Sequence, residues 1–131
     1  MSSKGILPVK GGKITSAYGE RGSTFHEGVD FTSEDTNVYM PMNGTVIHTG
    51  YDVEKGYYIE IDHGDGVTSE YHHLESIAVA EGDNLSVGTV IGIMGNTGYS
   101  TGTHLHWEVR VNGEAVNPIE AISIQKNSND Y

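Results

Sequence analysis

Apolar residues along this chain recur at every second position rather than every third or fourth, the period of strands. In Tyr57-Tyr58-Ile59-Glu60-Ile61-Asp62, the residues Tyr57, Ile59 and Ile61 fall on one face and Glu60 and Asp62 on the other. The next alternating run, residues 67–74, follows His63-Gly64-Asp65-Gly66, whose Asp-Gly pair supplies the positive φ that a tight hairpin requires. A second hairpin is expected from residues 104–111, the Asn112-Gly113 pair and Glu114-Ala115-Val116. Shorter strands are expected at residues 13–15, 29–31, 45–48 and 90–94. Only Ile119-Glu120-Ala121-Ile122, after Asn117-Pro118, is suited to a helical turn, and residues 125–131 are polar and expected to fray. Gly44-Thr45-Val46-Ile47 returns as Gly88-Thr89-Val90-Ile91, a short echo that two similar β units would produce.

Composition narrows the picture. The chain has 131 residues, enough for one domain, with 18 glycines, about twice the usual ~7% share and a sign of many tight turns. The division expected is an N-terminal extension over residues 1–12, one domain over 13–122 and a flexible tail over 123–131, the whole working as a monomer. With no cysteine, disulfides and thiolate metal sites are excluded, so any metal must be held by histidine and carboxylate. Seven Lys and Arg against 18 Asp and Glu give a net charge of −11, which argues against nucleic acid and anionic membrane surfaces as partners. No apolar run reaches the roughly 20 residues that span a bilayer. The first ten residues lack the apolar core of a signal peptide, so delivery by another route or excision from a longer protein is expected.

The seven histidines carry the candidate chemistry. Alternation through Thr103-His104-Leu105-His106-Trp107-Glu108-Val109 sends His104, His106 and Glu108 to one face and Leu105, Trp107 and Val109 to the other. The two imidazoles then stand about 6–7 Å apart and can serve one cavity. In Phe25-His26-Glu27-Gly28-Val29-Asp30 a straight strand would separate His26 from Asp30 by about 13 Å, too far to share a metal with bonds near 2 Å. A bend is needed, and Gly28 is placed to allow it. Tyr71-His72-His73-Leu74 offers a further imidazole, and because strand neighbours point to opposite faces only one of the pair is expected in any given site. Three ligands from His and Asp with a fourth position for water is the set a catalytic zinc uses.

Together these residues resemble the lysostaphin-type, or LytM-like, zinc metallopeptidases, which are peptidoglycan endopeptidases. The resemblance rests on Gly95-Asn96-Thr97-Gly98-Tyr99-Ser100-Thr101-Gly102-Thr103-His104-Leu105-His106-Trp107-Glu108-Val109, with His26-x-x-x-Asp30 and Tyr71-x-His73-Leu74, and runs from about Ile14 to Pro118. Thr103 stands where the family more often has Pro, and Trp107 where it usually has Phe. The resemblance implies an all-β fold, mostly antiparallel sheets forming an open groove, with one Zn2+ per chain held by His26, Asp30 and His106. It also implies His73 and His104 as the catalytic pair, which settles the choice between His72 and His73. Arg21, in Tyr18-Gly19-Glu20-Arg21, resembles a family segment near the metal and is a candidate contact for the substrate carbonyl or oxyanion, the alternative being a surface charge pair. Glu108 shares the histidine face and is a candidate hydrogen-bond partner of a ligand imidazole, the alternative being solvent. His48 and His63 match no functional position and are expected at the surface.

The implied activity is hydrolysis of peptide cross-links or stem peptides of bacterial peptidoglycan by a metal-activated water, at the cell wall, whether secreted, periplasmic or delivered by a phage particle. Two other readings compete. One is a non-catalytic relative that binds wall or activates another hydrolase, which would be expected to lack site residues. The other is a histidine phosphocarrier, which leaves Asp30 and the Tyr-x-His-Leu segment without a role.

Overall fold

The structure, a computed structural model, describes residues 5–98, 100 and 102–121, with the backbone alone at Arg21. Twelve strands follow one another: β1 (Lys13–Ser16), β2 (Gly19–Arg21), β3 (Thr24–His26), β4 (Val29–Thr32), β5 (Asn37–Tyr39), β6 (Gly44–Asp52), β7 (Gly56–Gly64), β8 (Val67–Ile77), β9 (Asn84–Leu85), β10 (Val90–Met94), β11 (Leu105–Val111) and β12 (Glu114–Val116). Every pairing among them is antiparallel. The main sheet runs β1-β4-β11-β8-β7-β6-β9, with β10 bridging β8 and β5 and β12 flanking β11, while β2 and β3 form a separate hairpin. Residues 118–121 form the one short helical turn among the described residues. The expected tail over 123–131 and Ile122 lie outside the described residues.

Both expected tight hairpins form. Asp65 (φ 56) and Gly66 (φ 81) join β7 to β8, and Asn112 (φ 52) and Gly113 (φ 87) join β11 to β12; two consecutive positive φ values give the turn whose twist matches paired strands. Strand β6 is longer than its apolar core suggests, because its outer half, His48 to Asp52, is polar and carried by pairing with β7. Strands β2, β3, β5 and β9 are too short to leave a periodic signal. The segment before β1 is joined to the domain: Ile6 N–H donates to Pro41 O, Tyr39 N–H to Pro8 O, and Val9 is buried in the core.

The core is organised as rows across the sheet. Val29, Trp107, Tyr71 and Ile59 pair side by side through β4, β11, β8 and β7, and none is more than 1% exposed. Each large apolar side chain so removed from water stabilises the fold by roughly 1.5–3 kcal/mol. The next residues along the same strands, Asp30, His106 and His72, pair in the same way, and alternation turns them to the opposite face. Burial of one row therefore places the other.

His63 is not a plain surface residue. It is half-buried at the end of a polar chain: Tyr71 O–H donates to Ser69 Oγ (2.7 Å), Ser69 O–H to His63 Nε2 (2.7 Å) and His63 Nδ1–H to Asn43 O (2.9 Å). The carbonyl can only accept, which fixes the direction of the whole chain. Burial pushes the His63 imidazole down, in keeping with the neutral form. The reason for the miss is that a loop-side histidine gives no sign of partners that come from β8. His48 is exposed.

Gly28 lies between β3 and β4, at the bend, because nothing larger fits. A Cβ there would stand 2.5 Å from Trp107 O and 2.9 Å from both Glu108 Cγ and His106 Cε1. Gly28→Ala is expected to destabilise the fold by about 1–3 kcal/mol through overpacking, read as a lower midpoint in thermal unfolding. An unchanged midpoint would mean that β4 can move away from β11 at no cost.

Candidate metal centre

On the polar face, β3, β4, β8, β11 and the segment before β11 enclose a cavity of about 550 Å3 lined by His26, Asp30, Glu54, Lys55, His72, His73, Ser100, His104, His106 and Glu108. His26 Nε2, Asp30 Oδ1 and His106 Nδ1 converge, at 3.3 Å between the two nitrogens, 3.5 Å from His26 to Asp30 and 2.7 Å from His106 to Asp30. Tetrahedral zinc with bonds near 2.0–2.1 Å spaces its ligand atoms by roughly 3.3–3.5 Å; the two separations from His26 match that spacing, while the 2.7 Å between His106 and Asp30 is a hydrogen bond that must open for an ion to enter. The bend at Gly28 is what brings His26 back beside Asp30. A second group, His72, His106 and Glu108, also gathers potential ligand atoms and shares His106 with the first.

Each imidazole of the cavity has one nitrogen anchored. His26 Nδ1–H donates to Ala17 O (3.0 Å), His73 Nδ1–H to Thr97 O (2.7 Å) and His104 Nδ1–H to Gly102 O (2.8 Å). Carbonyls accept only, so the proton sits on Nδ1 and Nε2 is left as the working atom in all three. His106 is turned the other way: Nε2 meets Glu108 Oε2 at 2.8 Å and Nδ1 faces Asp30. Glu108 in turn accepts from Arg110 Nη2 at 2.9 Å. The structure thus places Glu108 against the His106 imidazole, largely shielded from solvent. Arg21 lies in β2, but its side chain is outside the described residues.

His73 departs from regular strand geometry. It takes φ 67, in the left-handed region that side chains with a Cβ seldom adopt. Between the pairs Ile59–Tyr71 and Tyr57–Leu74, β8 advances by one residue more than β7, which is a β-bulge. The bulge cancels the alternation, so His72 and His73 both line the cavity, where one was expected. Main-chain bonds hold it: His73 N–H donates to Lys55 O, and Thr97 Oγ1, which donates to Leu74 O, accepts from Tyr57 N–H. Gly56 and Gly98 let this loop approach the β6–β7 connection, since a Cβ on Gly98 would stand 2.6 Å from Glu54 O. His73 and His104 end with ring centroids 5.0 Å apart, and His73 lies 6.1 Å from His106.

Charge in the cavity favours a cation. Burial alone would raise the Asp30 carboxyl, but its hydrogen bond to His106 and the charges of His106, His26 and His104 hold it below the ordinary carboxylate range. Burial alone would lower His106, yet Asp30 and Glu108 on either side push it up to about 9. Beyond the residues named from sequence, the cavity contains Glu54, Lys55, His72 and Ser100. Of these only His72 left a trace in the sequence, as the neighbour of His73, and alternation argued against using both.

The model of peptidase family M23 matches residues 24–118, well over half of the chain and a span that includes His26, Asp30, His73, His104 and His106. The chain belongs to peptidase family M23. It is similar to the peptidoglycan DD-endopeptidase ShyA of Vibrio cholerae, 41% identical over 97 residues, covering 73% of this chain and 23% of that protein. Among solved structures it is similar to the catalytic domain of lysostaphin from Staphylococcus simulans, with TM-score 0.76, 32% identity and coverage of 85% and 92% of the two chains. It is also similar to a chain of the SpoIIIAH and SpoIIQ complex, with TM-score 0.81, 26% identity and coverage of 90% and 99%. The chain spans about a quarter of the length of the curated relatives it matches. The M23 match and the lysostaphin likeness agree with the open, mostly antiparallel all-β fold.

The raised pKa of His106 bears on whether this candidate site takes up a metal. Below about pH 9 a cation must displace the proton on His106, so zinc binding is expected to release about one proton and to weaken as pH falls. The same proton stabilises the metal-free chain below pH 6.5, a contribution that disappears as pH rises through about 9. Zinc titrations from pH 6 to pH 9 in two buffers of different ionisation enthalpy measure this; an affinity that does not change with pH would contradict the assignment of His106 as ligand.

Proposed function

We propose that this chain is a zinc-dependent endopeptidase that hydrolyses peptide cross-links or stem peptides of bacterial peptidoglycan. The observation that carries the reading is the convergence of His26, Asp30, His106, His73 and His104 on one open cavity, from three separate segments of the sequence. The ligand set is His26 Nε2, Asp30 Oδ1 and His106 Nδ1, holding one zinc per chain. When bound there, zinc supplies Lewis-acid polarisation of the scissile carbonyl and lowers the pKa of a water.

The protein's own residues supply the rest. His73 is pushed down by burial and by the neighbouring His104, His72 and His106, against its bond to Thr97, so its Nε2 is a lone pair and accepts the proton given up by the attacking water. His104 Nε2 faces the same space, 4.0 Å from Asp30 Oδ1. Protonated from solvent before the step, His104 donates a hydrogen bond to the developing oxyanion and keeps its proton, while the proton taken up by His73 goes to the leaving amine. The peptide lies extended along the open face of the sheet, within reach of both rings. The action is at the cell wall, as the names of the relatives suggest.

A second reading has its own support in the likeness to a chain of the SpoIIIAH and SpoIIQ complex: the same fold acting through protein contacts without catalysis. The full ligand and imidazole set in this chain favours the enzyme. His106→Ala is expected to lose zinc and all wall hydrolysis, while His104→Ala keeps zinc and loses turnover by roughly 10²-fold or more, the usual worth of an oxyanion donor. Turbidity of purified walls with metal analysis on the same samples decides it; near-normal hydrolysis by His104→Ala would sink the catalytic assignment, and a zinc-loaded wild-type chain that clears no walls would favour the second reading.

A further inference from the structure

One buried imidazole of the cavity has no part in this mechanism. His72 is 7% exposed, lines the cavity and pairs in register with His106. Its ring centroid is 4.9 Å from that of His106 and 6.0 Å from that of His73. Those spacings are less than two residues of an extended peptide, at about 3.3 Å each. His72 is therefore adjacent to wherever a scissile bond between the metal and His73 would sit.

Its hydrogen bonding says what it can recognise. His72 Nε2 lies 2.8 Å from Glu70 Oε1, and Glu70 also receives Lys55 Nζ at 3.2 Å, with Arg110 Nε 4.0 Å away. The bond to His72, foremost, outweighs burial and holds Glu70 down at about 2. An ionised carboxylate only accepts, so the His72 proton is on Nε2, and in the neutral ring Nδ1 carries a lone pair. Among the described residues none donates to Nδ1. The carboxylates around it, Glu54, Glu70 and Glu108, disfavour an anionic ligand group, and Lys55 and Arg110 are committed to two of them.

We propose that His72 is a substrate-binding residue whose Nδ1 accepts a hydrogen bond from an N–H group of the bound peptide beside the scissile bond. Glu70 holds the ring in the orientation that leaves this nitrogen to the groove. The inference rests on the peptidase reading of the site but not on His72 entering the reaction. Without an N–H donor the nitrogen would be desolvated for no return.

The test is binding of zinc-loaded protein, in a His104→Ala background that stops turnover, to soluble disaccharide-peptide fragments released from purified walls by a muramidase. His72→Phe keeps a ring against His106 and removes both nitrogens; it is expected to bind fragments about tenfold more weakly with zinc content unchanged. His72→Gln, able to donate to Glu70 and accept from the peptide, should restore most of the affinity. His72→Leu gives the same reading as Phe should the larger ring disturb packing. Fragments whose free amines are converted to quaternary trimethylammonium groups, which keep the charge and carry no N–H, separate the two sources of N–H: unchanged binding assigns the main chain, and a loss equal to that of His72→Phe assigns a side-chain amine. Equal affinity of parent, Phe and Leu forms, or Gln binding as poorly as Phe with full zinc, overturns the proposal. A chain with intact His104 that binds fragments but hydrolyses nothing would instead overturn the endopeptidase reading and leave this contact standing.

Discussion

The site depends on strand register. Val29, Trp107, Tyr71 and Ile59 must face the core together, and this requirement alone fixes how β4, β11, β8 and β7 slide against one another. Because side chains alternate, a slip of one residue would turn Asp30, His106 and His72 into the core and Trp107 into water. Burying an unpaired carboxylate and two imidazoles would cost several kcal/mol each way. The apolar half of each strand thus determines the placement of the polar half, and no separate device is needed to bring Asp30 beside His106.

Where register is insufficient, the chain breaks its own pattern. His26 reaches Asp30 through a bend at Gly28 that leaves no room for a side chain. His73 joins the other imidazoles through a left-handed bulge, a conformation that costs of order 1 kcal/mol and persists because the surroundings over-determine it. Those surroundings are the Thr97 hydroxyl, the Lys55 carbonyl and the close approach of Gly56 and Gly98. Both breaks occur at candidate site residues, where departures from local pattern are expected to concentrate.

This division also explains what could be read in advance. The strand alternation of Tyr57 to Asp62, the two Gly-containing turns and the shared face of His104 and His106 are local properties, and local sequence records them. The bend between His26 and Asp30 was legible as a necessity, from distance, and Gly28 was its visible agent. The bulge was not legible: nothing in Tyr71-His72-His73-Leu74 signals a positive φ, since Lys55 and Thr97, which bond to His73, are 18 and 24 positions away. For the same reason strict alternation admitted one histidine where the fold admits two. His63 was misplaced because its partners approach from elsewhere in the chain, Ser69 from β8 and Asn43 from just before β6.

The anchors of the imidazoles have a consequence for how such a centre is dissected. His26, His73 and His104 are oriented by the carbonyls of Ala17, Thr97 and Gly102, groups that every amino acid carries. Replacing Ala17 or Gly102 changes the side chain and leaves the orienting atom in place, so a substitution scan would score those two supports as nearly inert, whereas the Thr97 hydroxyl also holds the bulge at His73. Those two supports are written in backbone conformation rather than in residue identity. Evolution is free to vary their letters, and only changes that move the main chain, such as a shifted turn or an altered loop length, can retune the pair of rings.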